Sequence, residues 1–254
     1  MGIFRKFIKK VAKFFLNHSS GIQDFLLPSI PQVNGKKNSQ STYSQYGQDL
    51  FLSKLIFFLP EKPNYTFIDI GAHDGVSFSN SFFLENLENW NGICVEANAS
   101  LFPKLVGNRV KSECINCAIS DSSGFELFLW NDGYSEMLSG LENSIPKRHQ
   151  KRTKSEQRAF SGRTDKVYVE TLTLNELCKT RGITEIDLLL IDVEGAEKAI
   201  ISNIDFGRLQ INIICVERNF SSIGVLQVLT NAGFIRLVQI GADDIYVHSS
   251  VFGS

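Results

Sequence analysis

No stretch of this 254-residue chain holds the roughly 20 consecutive apolar residues that a membrane-spanning helix needs. Near the N-terminus lysines interrupt every apolar stretch, so a signal-peptide core is missing as well. Both absences point to the cytoplasm. Charge of one sign is lacking too. The formal net charge of -1 leaves no global field to draw in nucleic acid, and none is expected as a partner. Cysteine is sparse. The five (Cys94, Cys114, Cys117, Cys178 and Cys215) are odd in number, and most sit in apolar runs such as Gly92-Ile93-Cys94-Val95, as buried free thiols do. Cys114 and Cys117 form a lone C-x-x-C with no second pair and no nearby histidine, short of the four ligands of a structural zinc site. The pattern fits a reducing compartment.

What is present reads as an ordinary globular chain, with 43% hydrophobic and 21% charged residues. Residues 3–16 stand apart. Ile3, Phe4, Phe7, Ile8, Val11, Phe14 and Phe15 recur at helical spacing, and Arg5, Lys6, Lys9, Lys10 and Lys13 fill the other face. Such a helix either lies in a membrane interface, here the inner face, or packs its stripe on the protein's own body. A linker follows over 28–44, rich in Pro, Gly, Asn and Ser.

Beyond it the spacing predicts a helix over 43–59, then alternation. Strands are expected at 65–70, 92–96, 114–119, 125–130, 167–171, 186–191 and 211–216. Helices are expected at 76–89, 100–106, 174–180, 196–203 and 223–232. Two adjacent strands, 234–238 and 244–248, close the chain. Apolar strands alternating with helices predict an α/β fold: a Rossmann-like, doubly wound, mostly parallel sheet with an antiparallel C-terminal hairpin. Residues 131–166 break the rhythm with a basic, polar run from Lys147 to Arg163. They are either a mobile substrate lid or a solvated insertion.

The first strand runs into Asp69-Ile70-Gly71-Ala72-His73-Asp74-Gly75. Glycines at a strand-to-helix turn let backbone approach a ligand closely. The D-x-G-x-x-x-G spacing lacks the third glycine of the dinucleotide fingerprint. The second strand ends in Glu96, about 25 residues on, where an acid can accept both hydroxyls of a ribose diol. The third ends near Asp121, which could accept from an exocyclic amine such as that of adenine. Each acid alone reads as a strand-end residue or helix cap; in order, they read as a nucleoside crevice. A later strand ends in Asp192-Val193-Glu194-Gly195-Ala196-Glu197, and the next in Glu217-Arg218-Asn219. Ligands bind outside the carboxyl ends of such strands, so these acids should face Gly71. Glu197 reads as a dipole-complementing residue at a helix start. Asp192, Glu217 and Asn219 could hold a divalent cation through oxygen, or position a substrate hydroxyl.

These segments together resemble the FkbM family of methyltransferases, which have the class I methyltransferase fold. The resemblance rests on Tyr43-Ser44-Gln45-Tyr46-Gly47-Gln48-Asp49, Asp69 to Gly75, Val95-Glu96-Ala97-Asn98, Ala118-Ile119-Ser120-Asp121, Met137-Leu138-Ser139-Gly140-Leu141, Glu170-Thr171-Leu172-Thr173-Leu174, Ile191 to Glu197 and Val216-Glu217-Arg218-Asn219, in family order over roughly 43–248. It implies a seven-stranded sheet, S-adenosylmethionine as cofactor, and O-methylation of a hydroxyl on a sugar, glycan or small molecule. It divides the chain into 1–42, a basic helix with its linker, and 43–254, the methyltransferase domain with the 131–166 insertion. The cofactor-binding residues it implies are Asp69, Gly71, Ala72, His73, Gly75, Glu96, Asp121 and Asp192, with no metal in the set. His73 departs from the asparagine common in the family. A hydroxyl acceptor benefits from a general base, and the candidates are Asp192, then His73 and Glu217. Two other readings are an NAD(P)-dependent oxidoreductase, disfavoured by the missing glycine, and a non-catalytic scaffold held at a membrane by 3–16.

Overall fold

The computed structural model describes residues 42–218 and 222–252. The basic segment 3–16, nearly all of the 28–44 linker and Asn219 lie outside the described residues. The strands, in chain order, are β1 (Tyr65–Ile70), β2 (Trp90–Val95), β3 (Glu113–Ile115), β4 (Ala118–Ile119), β5 (Gly124–Asn131), β6 (Gly140–Leu141), β7 (Thr164–Leu172), β8 (Glu185–Ile191), β9 (Gln210–Glu217), β10 (Phe234–Ile240) and β11 (Asp243–His248). The α-helices are α1 (Gln48–Leu55), α2 (Phe102–Asn108), α3 (Lys147–Phe160), α4 (Leu174–Thr180), α5 (Glu197–Ser202) and α6 (Ser222–Asn231).

Seven strands form one sheet in the order β10-β11-β9-β8-β1-β2-β3. β1, β2, β3, β8 and β9 run parallel, and β11 pairs antiparallel with both β9 and β10. This is the Rossmann-like sheet with its antiparallel C-terminal pair that the alternation predicts. The inner strands are apolar because both faces are covered. Phe67, Leu188, Leu190 and Ile213 pack into one core layer; Ile68, Ile70, Leu189, Ile191 and Ile214 pack into the other. The winding reverses at β1, with β2 to one side and β8 to the other. That reversal opens a crevice at the carboxyl ends of β1 and β8.

Three expectations need correction. The 76–89 stretch is not an α-helix; only Phe82–Asn86 coil, as a 3-10 helix. Ser77, Ser79 and Ser81 engage in side-chain hydrogen bonds there instead, the competition that disfavours serine within helices. The helix over 43–59 shortens to α1 plus a 3-10 turn at Ile56–Phe58. The strand over 114–119 is two strands in two sheets. Asn116 Nδ2 donates to the Glu96 carbonyl at 2.8 Å, and beyond it Ala118 and Ile119 pair with Thr171 and Leu172 of β7. β4, β7, β5 and β6 thus make a second, four-stranded sheet. The 131–166 insertion holds a 3-10 helix at Gly133–Leu138, β6 and α3.

Candidate active site

The turn after β1 is fastened to the neighbouring strands. The Gly71 and Ala72 amides donate to the Val95 carbonyl at 2.9 and 3.0 Å. Gly71 has φ +86, and a Cβ there would lie 1.7 Å from the Asp192 carbonyl oxygen, so only glycine fits. Gly75 is different. A Cβ there would meet Leu105 Cδ1 at 2.8 Å and Arg109 Cγ at 2.9 Å. Gly75 does not line the cavity; it packs against α2 and Arg109.

Glu96 holds the turn from the side. Its carboxylate accepts from the His73 amide at 2.8 Å and the Asn98 amide at 2.7 Å, one bond to each oxygen. Each oxygen keeps lone-pair capacity for a further donor. Burial raises the Glu96 pKa, against those two amide hydrogen bonds. Asn98 is buried beside it, and its Nδ2 has no hydrogen-bond partner although it lines the cavity.

Beneath the turn lies Arg109, only 1% exposed, which pattern reading does not single out. Its Nε donates to the Gly75 carbonyl at 2.6 Å, and its Nη2 donates to Ser79 Oγ and Ser81 Oγ at 2.7 Å each. Nη2 also lies 3.6 Å from Asp69 Oδ2, and Ser81 Oγ donates to the same carboxylate. Burial raises the Asp69 pKa, opposed by Arg109 and Ser81. Asp69 is therefore a floor residue anchored to a buried cation.

Across the crevice, β8 and β9 deliver a group of acids. Carboxylate oxygens of Asp192, Glu194 and Glu217 all lie within 4.8 Å of one another. Oxygen-preferring divalent cations accept such an arrangement; it also suits a shared proton. Asp192 opens to the cavity, yet the protein walls around it and the neighbouring Glu217 and Asp243 push its pKa well up. Burial first, then the charge of Glu194, raises Glu217 to about 8, while a hydrogen bond with Asp192 pulls it down. The two titrate as a pair. Asp243 at the start of β11 completes the wall. It accepts from Gln48 Nε2 at 2.5 Å and Asn80 Nδ2 at 3.2 Å, which gives Gln48 a role the sequence left unassigned. His73, at φ 52, also lines the cavity. Its Nδ1 lies 3.7 Å from Asp74 Oδ1 and its Nε2 3.8 Å from Glu136 Oε2, beyond hydrogen-bond reach.

Asp121 is not brought to this place. It is exposed, accepts from Ser122 Oγ at 3.2 Å, and lines a separate surface depression with Ser120, Ser122 and Glu126. The cause is the strand split: β4 has left the main sheet, so its end no longer points at the crevice. Cys117, Ala118 and Ile119 line the crevice there instead, together with Phe128 and Leu141 of β5 and β6. The cavity, open on one side, measures about 380 Å³, large enough for a small ligand. The insertion roofs it through residues 136–141 and Arg152. α3 is fixed to the acid loop by its buried His149, whose Nδ1 lies 3.4 Å from Glu194 Oε2.

Residues 69–236 match the family described as the Methyltransferase FkbM domain, over more than half of the chain. The chain belongs to the FkbM methyltransferase family. It is an S-adenosylmethionine-dependent methyltransferase, and the nicotinamide alternative falls away. No curated protein matches this FkbM-family chain. Among solved structures it is similar to the precorrin-6y C5,15-methyltransferase of Geobacter metallireducens GS-15, at 11% identity and a TM-score of 0.42, covering 78% of this chain and 85% of that one. It is similar to the FkbM methyltransferase of Methylobacillus flagellatus KT at 8% identity and a TM-score of 0.41, covering 81% of this chain and 56% of that one. It is similar to a TehB-like S-adenosylmethionine-dependent methyltransferase of Corynebacterium glutamicum ATCC 13032 at 9% identity and a TM-score of 0.39, covering 81% and 89%.

The cavity residues fit the family's cofactor. Its wall carries seven carboxylates (Asp69, Glu96, Glu136, Asp192, Glu194, Glu217 and Asp243) against one arginine, Arg152. Such a wall suits a ligand bearing a sulfonium and an ammonium. Glu96 has acceptor capacity for hydroxyls, the orphaned Nδ2 of Asn98 needs an acceptor, and Ala118, Ile119 and Phe128 offer apolar surface for a flat base.

Proposed function

We propose that the chain methylates a hydroxyl oxygen, on a sugar, a glycan or a small polyol, and that Asp192 and Glu217 take up its proton. The observation that carries this reading is the close approach of the Asp192 and Glu217 carboxylates at adjoining strand ends, both lining the cavity that Gly71 lines. A hydroxyl is a poor nucleophile at neutral pH and gains about 10²–10⁴-fold from a positioned base. Carboxylates with raised pKa values are the stronger bases once ionised, and a pair that shares one proton can accept another.

Gly71, Ala72 and His73 cradle the reactive end of the cofactor, Glu96 takes the ribose hydroxyls, and Asn98 with the apolar wall receives the base. Bound S-adenosylmethionine supplies an electrophilic methyl group on sulfur. The chain's own residues align the acceptor oxygen with it and exclude water, and the Asp192–Glu217 pair receives the proton that the hydroxyl loses. His73 stands next to this pair in line as a base. The roof of residues 136–141 selects the acceptor by shape. A methyl-donor assay on glycan precursors and small polyols, with products located by mass spectrometry, tests the reading. Methyl ether products that vanish in Asp192→Asn support it. Methylation at nitrogen or carbon, or full activity in that variant, overturns it.

A further inference from the structure

The carboxyl ends of the main sheet lay out the cavity in order. Glu96 follows β2, Gly71 follows β1, Asp192 follows β8 and Glu217 ends β9, and these strands lie side by side as β2-β1-β8-β9. Next in line is β11, where Asp243 stands opposite Glu217 in the antiparallel register. The cofactor residues occupy the β2–β1 side of the acid pair, so the wall built around Asp243 lies on its other side. Close contacts tie that wall together. Gln48 Nε2 and Asn80 Nδ2 both donate to Asp243 Oδ2, at 2.5 and 3.2 Å. The Tyr46 ring sits against Gly241, where a Cβ would lie 2.1 Å from its Cδ2. Ser44, two residues before Tyr46, bridges to Phe78, two residues before Asn80. Tyr46, Phe78, Asn80 and Asp243 all line the cavity.

Phe78 is the odd residue among them. Its φ of +56 lies in the left-handed region that a bulky side chain rarely adopts. It is nevertheless 52% exposed, so burial gives little in return for the strain. Its neighbours hold it there. Ser77 Oγ donates to Asp74 Oδ2 at 2.7 Å, and Ser79 Oγ accepts from Arg109 Nη2 at 2.7 Å. Strain imposed by fixed surroundings concentrates at active sites and ligand clamps. Tyr46 repeats the exposure: it is 42% exposed at the same cavity wall.

We infer that Phe78 and Tyr46 are the aromatic platform of the acceptor subsite, and that the acceptor presents a pyranose ring to it. The inference rests on the reading that a hydroxyl is methylated. A pyranose carries an apolar face of C–H groups and a rim of hydroxyls. The face suits an aromatic side chain, and the rim suits the polar groups beside it, Asn80, Asp243 and the exposed, cavity-lining Gln45. An open-chain polyol offers the hydroxyls without the flat face. A ring on this platform lies next to Glu217, across the register pair with Asp243, on the side of the acid pair away from Glu96.

Saturation-transfer NMR on the full chain with S-adenosylhomocysteine bound tests this without relying on methyl transfer. The probes are the methyl pyranosides of glucose, galactose, mannose and fucose, with sorbitol as the open-chain polyol. The C–H protons of at least one pyranoside should receive saturation, and those of sorbitol should not. Phe78→Gly should weaken that pyranoside about tenfold and leave the affinity for S-adenosylhomocysteine as in the wild type. Its melting temperature should hold or rise, because glycine adopts a φ of +56 freely. Phe78→Asn, which also tolerates the left-handed region, should behave alike. Binding of none of the pyranosides, equal saturation of sorbitol, undiminished pyranoside affinity in Phe78→Gly, or a lowered melting temperature in both variants overturns the inference. Methyl ethers formed on open-chain polyols, with no pyranoside bound, would strike the platform and keep the hydroxyl reading. Pyranosides that bind through Phe78 but are methylated at no oxygen would do the reverse.

Discussion

Gly71 faces the carbonyl oxygen of Asp192 so closely that a Cβ on the glycine would stand 1.7 Å from it. The Asp192 amide in turn donates to the Ile70 carbonyl at 2.9 Å. The glycine turn after β1 and the loop that carries Asp192 are therefore held together through the backbone. Gly71→Ala adds a methyl group where there is no room, at a φ of +86 that alanine resists. Cofactor affinity should fall about tenfold or more and the melting temperature should drop. Calorimetric titration with S-adenosylhomocysteine, with a thermal melt alongside, reads both. Wild-type affinity in this variant would detach the turn from the cofactor.

Glu96 and Asp121 should separate cleanly. Glu96 lines the cavity and holds the His73 and Asn98 amides, whereas Asp121 lies in another depression. Hydrogen bonds to a charged group contribute about 1.5–3 kcal/mol, so Glu96→Gln should weaken S-adenosylhomocysteine binding by roughly tenfold to a hundredfold. Asp121→Asn should leave the affinity unchanged. A loss at Asp121 equal to that at Glu96 would mean that β4 re-joins the crevice when the cofactor binds.

Arg109 is a stability residue with a functional consequence. Its removal leaves Asp69 buried without its cation and strips donors from Ser79, Ser81 and the Gly75 carbonyl. Breaking a buried pair by deleting one partner costs about 3–5 kcal/mol. Arg109→Met should lower the urea midpoint accordingly. Asp69→Asn should cost less, because the amide still accepts from Ser81. Equal midpoints for Arg109→Met and wild type would show that the network contributes nothing net.

The strands were legible because their side chains obey a period. The apolar runs of β1, β8 and β9 are buried on both faces, and little else in the chain looks like them. Helix α4 occupies the 174–180 that its spacing predicts, and Thr173 and Glu176 close its start with a capping box. The 76–89 stretch misled because its apolar spacing is helical, while its serines are held by Arg109, a partner some 30 residues away that no local pattern reveals. Asp121 misled for a similar reason. Its distance along the chain suits a strand-end acid, but the strand changes sheets at Asn116. Gln48 and Asp243 meet only because α1 packs beside the β10–β11 turn, where the Tyr46 ring occupies the space that a Cβ on Gly241 would need. Long-range pairs of this kind have no sequence period to read.

The acid pair makes opposite demands on stability and on activity, and pH separates them. Glu217 is raised from 4.5 to about 8 in the folded chain. Between those values the folded protein keeps a proton that the unfolded chain has released, so folding is favoured at the acid end and stability falls as pH rises through the window. Glu217→Gln removes that fall. The variant should melt at or above the wild-type temperature near pH 8 and lose any advantage below about pH 4.5. Activity should run the other way. Ionisation of the pair creates the base, so wild-type kcat should rise with pH up to about 8 and then level. Asp192→Asn should lower kcat by about 10²–10⁴-fold with little change in cofactor affinity, and Glu217→Gln should flatten the pH dependence. Melting curves and initial rates over the same pH series test both halves at once. A Glu217→Gln protein that keeps the wild-type rise of kcat with pH would show that ionisation of Glu217 does not create the base.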